Sequence, residues 1–267
     1  MKISLIDAFT DVPFAGNSAA VCLLERDAPA PWRRALAREL GFSETAYLRS
    51  SGKDRYELRW FTPTVEVDLC GHATLASAHF LWEQGMADDS ASIRFDTRSG
   101  PLFARRSGPA IELDFPAEPP RESPPPAGLL EALGVRPLWV GRNRLDFLVL
   151  VGEEAQVRAL EPDFSALASA CGEDRGVMVT SRSADPRFDF VSRYFAPAAG
   201  IDEDPVTGSA HCCLGPFWAQ RLSRKELRAF QASARGGRLG VRVGDDGRVY
   251  LTGTAVTILR GDLAVPE

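Results

Sequence analysis

The chain repeats itself, and a repeated half-chain limits the possible folds more than any composition does. The stretch RWFTPTVEVDLCGHATLASA, from Arg59, returns in altered form as RYFAPAAGIDEDPVTGSAHCCL, from Arg193. Arg59, Phe61, Pro63 and Asp68 match Arg193, Phe195, Pro197 and Asp202 at a constant offset, with Val67 against Ile201. Three extra residues then enter the second copy, after which Gly71 and Ala73 match Gly208 and Ala210. The longer offset persists further on, where Arg98, Gly100, Leu102 and Arg105 match Arg235, Gly237, Leu239 and Arg242. Matches in one order and two closely related registers imply an internal duplication, two half-chains of one architecture.

Each half has the same grammar. In the first, alternating Tyr56, Leu58 and Trp60 predict a strand, a loop carries Pro63, and an Ala-rich helix is expected over 71–83. Short strands follow at 93–96, 102–105 and 111–115. In the second, a strand is expected over 188–195, then a loop with Asp202, Glu203 and Asp204, then a helix over 208–221. Strands at 239–243 and 249–252 flank GDDG, a hairpin signal. Further helices are expected at 32–40, stopped by Gly41, and at 224–231. Between the halves lies PAEPPRESPPPAG, residues 116–128, whose proline density excludes a helix or central strand and marks a linker. Strands and helices mixed in this order, twice over, predict two α+β domains with a cleft between them.

Both predicted helices open on glycine. A helix N-terminus offers unpaired N–H groups and a positive dipole end, and glycine lets a ligand approach them. Two such mouths could hold a small anion or stabilise an enolate-like charge during proton transfer. Read singly, each is also compatible with plain capping, since Thr207 and Ser209 are common helix-start residues. Proton transfer needs an acid or base nearby, and His72, Cys70 and Asp204 are candidates. The dipole would keep Asp204 ionised. Glu44, in GFSETAYL, is expected at a loop-to-strand junction with apolar flanks Phe42, Tyr47 and Leu48 that would raise its pKa; a surface or capping carboxylate is the other reading.

Composition removes several classes of function. The 267 residues are 45% hydrophobic and 25% charged, with a net charge of −5, as expected of a soluble globular protein long enough for one large domain or two ordinary ones. There is no basic stripe for nucleic acid. No apolar run approaches the ~18 residues of a membrane span. MKISLIDAFT is interrupted at Asp7 too early for a secretory signal. Five cysteines without a CxxC pair point to reduced thiols in the cytoplasm rather than a disulfide framework.

The segments DAFTDVPFAGNSAAVCLL, FSETAYL, FTPTVEVDLCGHATLASA, FAPAAGIDEDPVTGSAHC, SARGG and GTAVTILRGDL together resemble the PhzF-like, phenazine-biosynthesis-like proteins, in order and over nearly the whole chain. The resemblance implies a diaminopimelate-epimerase-like α+β fold. It has two similar pseudo-symmetric domains, each a barrel-like mixed sheet around a central helix, with the site between them. Domains at 1–117 and 118–267 would fit it, the last residues being free to pack on the first half. The family's characterised enzyme is an isomerase that moves a proton within a dihydro-hydroxyanthranilate without metal or organic cofactor. By that likeness Glu44 is the essential carboxylate, His72 and Asp204 complete the catalytic set, and Gly71, Gly208 and Ser209 bind a small anionic substrate. A homodimer is implied in the same way.

Other chemistry fits less well. Related epimerases and racemases place one Cys at each helix mouth, whereas here Cys70 is matched by Thr207, whose hydroxyl is far too weak an acid to replace a thiol of pKa ~8.5. Cys70 is therefore read as a small packing residue. His211, Cys212 and Cys213 are successive helix residues about 100° apart and cannot converge on one ion, so no metal is expected. There is no GxSxG elbow, and GxGxxG and GKS/T motifs are absent. His79, within the first helix, reads as a packing or surface residue. The expected activity is cofactor-independent proton-transfer isomerisation; a non-catalytic metabolite- or partner-binding protein that retains the fold is the alternative.

Overall fold

The computed structural model describes residues 1–172 and 175–265. The chain forms two compact units, Met1–Phe115 with Leu251–Glu267, and Pro116–Tyr250. The first contains β1 (Lys2–Ala8), β2 (Asn17–Leu24), α1 (Ala30–Leu40), β3 (Glu44–Gly52), β4 (Arg55–Phe61), β5 (Glu66–Val67), α2 (Gly71–Glu83), β6 (Ile93–Thr97), β7 (Gly100–Ser107) and β8 (Ala110–Pro116). The second contains β9 (Arg121–Glu122), α3 (Leu129–Leu133), β10 (Trp139–Arg142), β11 (Phe147–Leu150), α4 (Glu154–Arg158), α5 (Phe164–Cys171), β12 (Val177–Arg182), β13 (Phe190–Ala196), β14 (Ile201–Asp204), α6 (Gly208–Leu222), β15 (Glu226–Gln231) and β16 (Gly237–Val243). The chain returns to the first unit within β17 (Arg248–Gly253) and ends its regular structure in β18 (Ala255–Asp262), antiparallel to β1.

One succession of pairings occurs in both units. In the first, β2 pairs with β1 antiparallel and with β3 parallel, and β3 pairs with β4 antiparallel. Strand β4 then takes the short β5 antiparallel and β6 parallel, and β6 pairs with β7 antiparallel. In the second, β11 pairs with β10 antiparallel and β12 parallel, and β12 pairs with β13 antiparallel. Strand β13 takes the short β14 antiparallel and β15 parallel, and β15 pairs with β16 antiparallel. A parallel join needs a crossover. Helices α1 and α2 serve the first unit, and α4 with α5, then α6, serve the second.

The hairpins correct the sequence alignment of the repeat. Trp60 faces Val67 across β4 and β5, while Tyr194 faces Asp204 across β13 and β14. The turns between the last paired residues, 62–65 and 197–200, are equally long, so the extra residues lie in the paired arms of the second hairpin, between Tyr194 and Asp204, and not between Asp204 and Gly208. Val67, not Asp68, stands where Asp204 does. An ion pair supports each hairpin in the same place, Arg59 with Glu66 and Arg193 with Glu203.

The expected helix over 71–83 is α2, and that over 208–221 is α6, one residue longer. Residues 224–231 are not a helix: 226–231 form strand β15. Leu227, Ala229 and Gln231 are buried and Glu226 and Arg228 exposed, a period of two. Pairing with β13 and β16 overrides the helix propensity of Lys, Glu, Leu and Arg. After Pro116 ends β8, segment 117–128 is irregular apart from the two-residue β9, as its prolines require.

Helix α2 has almost no solvent face: residues 71–78 and 80–82 are buried. Its hydroxyls are satisfied within the helix, Thr74 Oγ1 donating to the Cys70 carbonyl (2.5 Å) and Ser77 Oγ to that of Ala73 (2.7 Å). Helix α6 carries Pro216 in its interior. Proline has no N–H for the Cys212 carbonyl one turn back, and the Glu118 N–H donates to it instead (3.0 Å). Just before it, a Cβ at Gly215 would stand 2.7 Å from Val241 Cγ1, so β16 can approach the helix closely.

The loop between β1 and β2 is tightly wound, with Phe9 (φ 61°), Phe14 (φ 68°) and Gly16 (φ 65°) in the left-handed region. The Asp7 carboxylate ties it down, accepting from the Phe14 N–H (2.8 Å) and the Ser18 hydroxyl (2.5 Å). A Cβ at Gly16 would lie 2.2 Å from the Ala8 carbonyl oxygen. Gly16→Ala is expected to cost about 2 kcal/mol or more through strain and contact together. Urea unfolding measures this, and an unchanged midpoint would contradict the loop geometry.

Candidate active site

In the first unit, two neighbouring strand ends and one helix mouth converge. Strand β2 begins at Asn17 and β3 at Glu44, with Ala19 opposite Glu44 in the parallel register. Gly41, in the left-handed conformation, stops α1 and turns the chain toward β3. The helix mouth is Cys70, in extended conformation at the N-cap, followed by Gly71 and His72. His72 Nε2 lies 3.4 Å from Glu44 Oε2, and Asn17 Nδ2 lies 3.1 Å from His72 Nδ1. Cys70 Sγ is 3.5 Å from the same Nδ1. The Glu44 side chain is 12% exposed and that of His72 3%.

Burial holds His72 neutral, lowering its pKa from 6.5 to about 3. The surroundings of Glu44 differ from those expected of its sequence flanks. Tyr47, an odd number of residues along the strand, faces the other way and packs in a cluster with Leu36, Ala37 and Phe61. The α2 mouth supplies the surroundings of Glu44 instead. Glu44, Cys70 and His72 each bring one metal-ligand-type atom within 4.8 Å of the others, the sole such group among the described residues. His211, Cys212 and Cys213 form no such group there.

In the second unit, Asp204 ends β14 and is 7% exposed. Thr207 occupies the N-cap of α6, yet its hydroxyl does not cap the helix; it donates to Asp204 Oδ2 (2.5 Å). Gln231, fully buried at the end of β15, locks the arrangement. Its Nε2 donates to the Asp204 carbonyl (2.7 Å) and Thr207 Oγ1 (3.2 Å), and its Oε1 accepts from the Thr207 N–H (2.9 Å). Gly208 is buried and Ser209 half-buried in the first turn of α6.

The structure thus brings Glu44 and His72 together in one unit, and Asp204, Gly208 and Ser209 in the other. Asn17 and Gln231 escaped the reading of the sequence. Asn17 was visible only as part of a quoted family segment, and Gln231 lay in a stretch expected to be helical. His79, on the far part of α2, contacts Thr257 Oγ1 (3.0 Å) and plays no part in either cluster.

Two buried imidazoles make stability depend on pH. Burial lowers the pKa of His211 to about 4 as well, while the Nδ1–H bond to the Thr207 carbonyl (2.8 Å) acts in the opposite direction. The unfolded chain protonates both near 6.5, above the folded values of about 3 and about 4. The unfolded state therefore binds more protons in that window, and stability is lost as pH falls through it, by up to about 1.4 kcal/mol per pH unit for each imidazole. Urea midpoints measured from neutral pH to pH 4 should fall, and His211→Asn should reduce the slope by one group's share. A slope unaltered by that substitution would contradict the neutral buried state.

The match to known proteins extends over almost the entire chain. Residues 6–261 match the PhzC-PhzF family model, phenazine biosynthesis-like protein. An uncharacterized isomerase of Halalkalibacterium halodurans is 50% identical over 98% of this chain and 97% of its own. An uncharacterized isomerase of Pseudomonas aeruginosa is 49% identical over 98% of both. The crystal structure of a PhzF-family phenazine biosynthesis protein from Enterococcus faecalis superposes with a TM-score of 0.92 at 38% identity, covering 99% of each chain. The chain belongs to the phenazine biosynthesis-like, PhzF family and is an isomerase.

Proposed function

We propose that this isomerase moves a proton within a small anionic substrate, using Glu44 as the proton-carrying base and no cofactor. Glu44 removes a proton from one carbon and returns it to another, while His72 fixes the carboxylate. In the second unit, Asp204 and Ser209 are the candidates for catalysis and substrate binding. The N–H groups of a helix mouth, at Gly71–His72 in the first unit and Gly208–Ser209 in the second, are suited to receive negative charge, as helix N-termini do. The carrying observation is the facing pair of Glu44 Oε2 and His72 Nε2 at 3.4 Å, both largely shielded from water. A protein that only binds metabolites has no need of a carboxylate set against a buried neutral imidazole. The five cysteines are all free and buried, which supports action in a reducing compartment such as the cytoplasm. No helix among the described residues is long and apolar enough to cross a membrane.

Glu44→Gln preserves shape and removes the base. It is expected to lower turnover at least ~10²-fold while ligand binding survives. The assay is deuterium uptake from solvent into candidate cyclic and acyclic acids with an acidic C–H. Wild-type exchange in Glu44→Gln, with Asp204→Asn inactive, would move the base to the second unit. Absence of exchange by the wild-type protein with any acid that binds would favour a binding role.

A further inference from the structure

We infer that Asn17 is a positioning residue that selects the tautomer of His72, fixing the proton on Nε2, the nitrogen on the Glu44 side. The inference rests on the role proposed for Glu44, but its geometry stands alone. An amide nitrogen carries two protons and no lone pair to offer, so Asn17 Nδ2 at 3.1 Å makes His72 Nδ1 an acceptor. A neutral imidazole has one N–H, which is then on Nε2, the atom 3.4 Å from Glu44 Oε2. The Cys70 thiol, 3.5 Å from Nδ1, is a second donor-bearing group beside that nitrogen. Both Asn17 (2% exposed) and His72 (3%) are closed off from water that could supply a different partner.

The consequence divides the work within the site. With Nε2 already protonated, His72 cannot take a proton from Glu44 without becoming an imidazolium, which its burial opposes. His72 therefore keeps its own proton beside the carboxylate and does not share that of Glu44, and Glu44 alone carries the proton in this unit. The chain holds its own reference for the measurement. His211 Nδ1 lies 2.8 Å from the Thr207 carbonyl, which can only accept, so this second buried imidazole has the opposite tautomer.

The experiment is long-range ¹H–¹⁵N correlation of the 267-residue chain labelled at its three histidines, assigned by His79→Gln and His211→Gln. His72 should show a protonated Nε2 and bare Nδ1, and His211 the reverse. In Asn17→Asp the carboxylate can only accept, so His72 should change to Nδ1–H or to imidazolium, with exchange slowed on the order of 10-fold or more. In Asn17→Ala, His72 should become a mixture of tautomers. A wild-type His72 protonated on Nδ1 overturns the inference, as does an unchanged His72 pattern in either variant. If Asn17→Asp does not fold, the wild-type spectrum and Asn17→Ala decide. The catalytic reading fails separately, through full exchange activity in Glu44→Gln, and that result leaves the spectra unaffected.

Discussion

A helix buried along almost its whole length must find its polar partners within the protein, and that requirement shapes the first unit. Helix α2 meets it with alanines, with hydroxyls bonded back to its own carbonyls, and with one imidazole at its mouth. Burial removes the imidazole's charge, and once neutral it must donate from one nitrogen and accept at the other. Glu44 and Asn17 stand at the two nitrogens because the parallel strands β2 and β3 both begin beside the helix mouth. The chemistry of the site follows from how a buried helix end is accommodated.

The two units share a scaffold and have diverged in chemistry. Strand registers equate Glu44 with Gly176, Val67 with Asp204, and Asn17 with Arg144, while the helix mouths equate His72 with Ser209. At Gly176 a Cβ would meet the Tyr194 hydroxyl at 2.3 Å, so the second unit has filled with an aromatic ring the place where the first keeps its carboxylate. That hydroxyl donates to Asp146, a buried carboxylate whose pKa burial raises. The second unit instead holds its carboxylate on the β13–β14 hairpin, bound through Thr207 and Gln231.

Features that repeat locally were legible in the sequence. The duplication, both central helices and the position of Glu44 after a glycine-stopped helix could be read because alternation, small-residue runs and glycine punctuation act over a few residues. What depends on pairing partners was not legible. Strand β15 looked helical until β13 and β16 flanked it. The true register of the hairpin was hidden because Asp68 and Asp202 match by chance of composition, while the bulge between Tyr194 and Ala196 shifts the pairing. Thr207 read as a cap because a hydroxyl at a helix start usually is one; its bond to Asp204 exists only in three dimensions.

Strand β18, which follows the second unit in sequence, lies against β1, which precedes it. The order of synthesis therefore inverts the order of completion. Residues Pro116–Tyr250 form one contiguous stretch and can close their unit as soon as they leave the ribosome. The unit begun first waits with an unpaired edge on β1 until Ala255–Asp262, which follow the whole second unit in sequence, have been added, and that edge is exposed to wrong partners throughout the delay. The loop locked by Asp7 and Gly16, which carries Asn17 to its position, belongs to this waiting half. Glu44 is translated before the second unit, but the sheet that carries it closes only after that unit has been made.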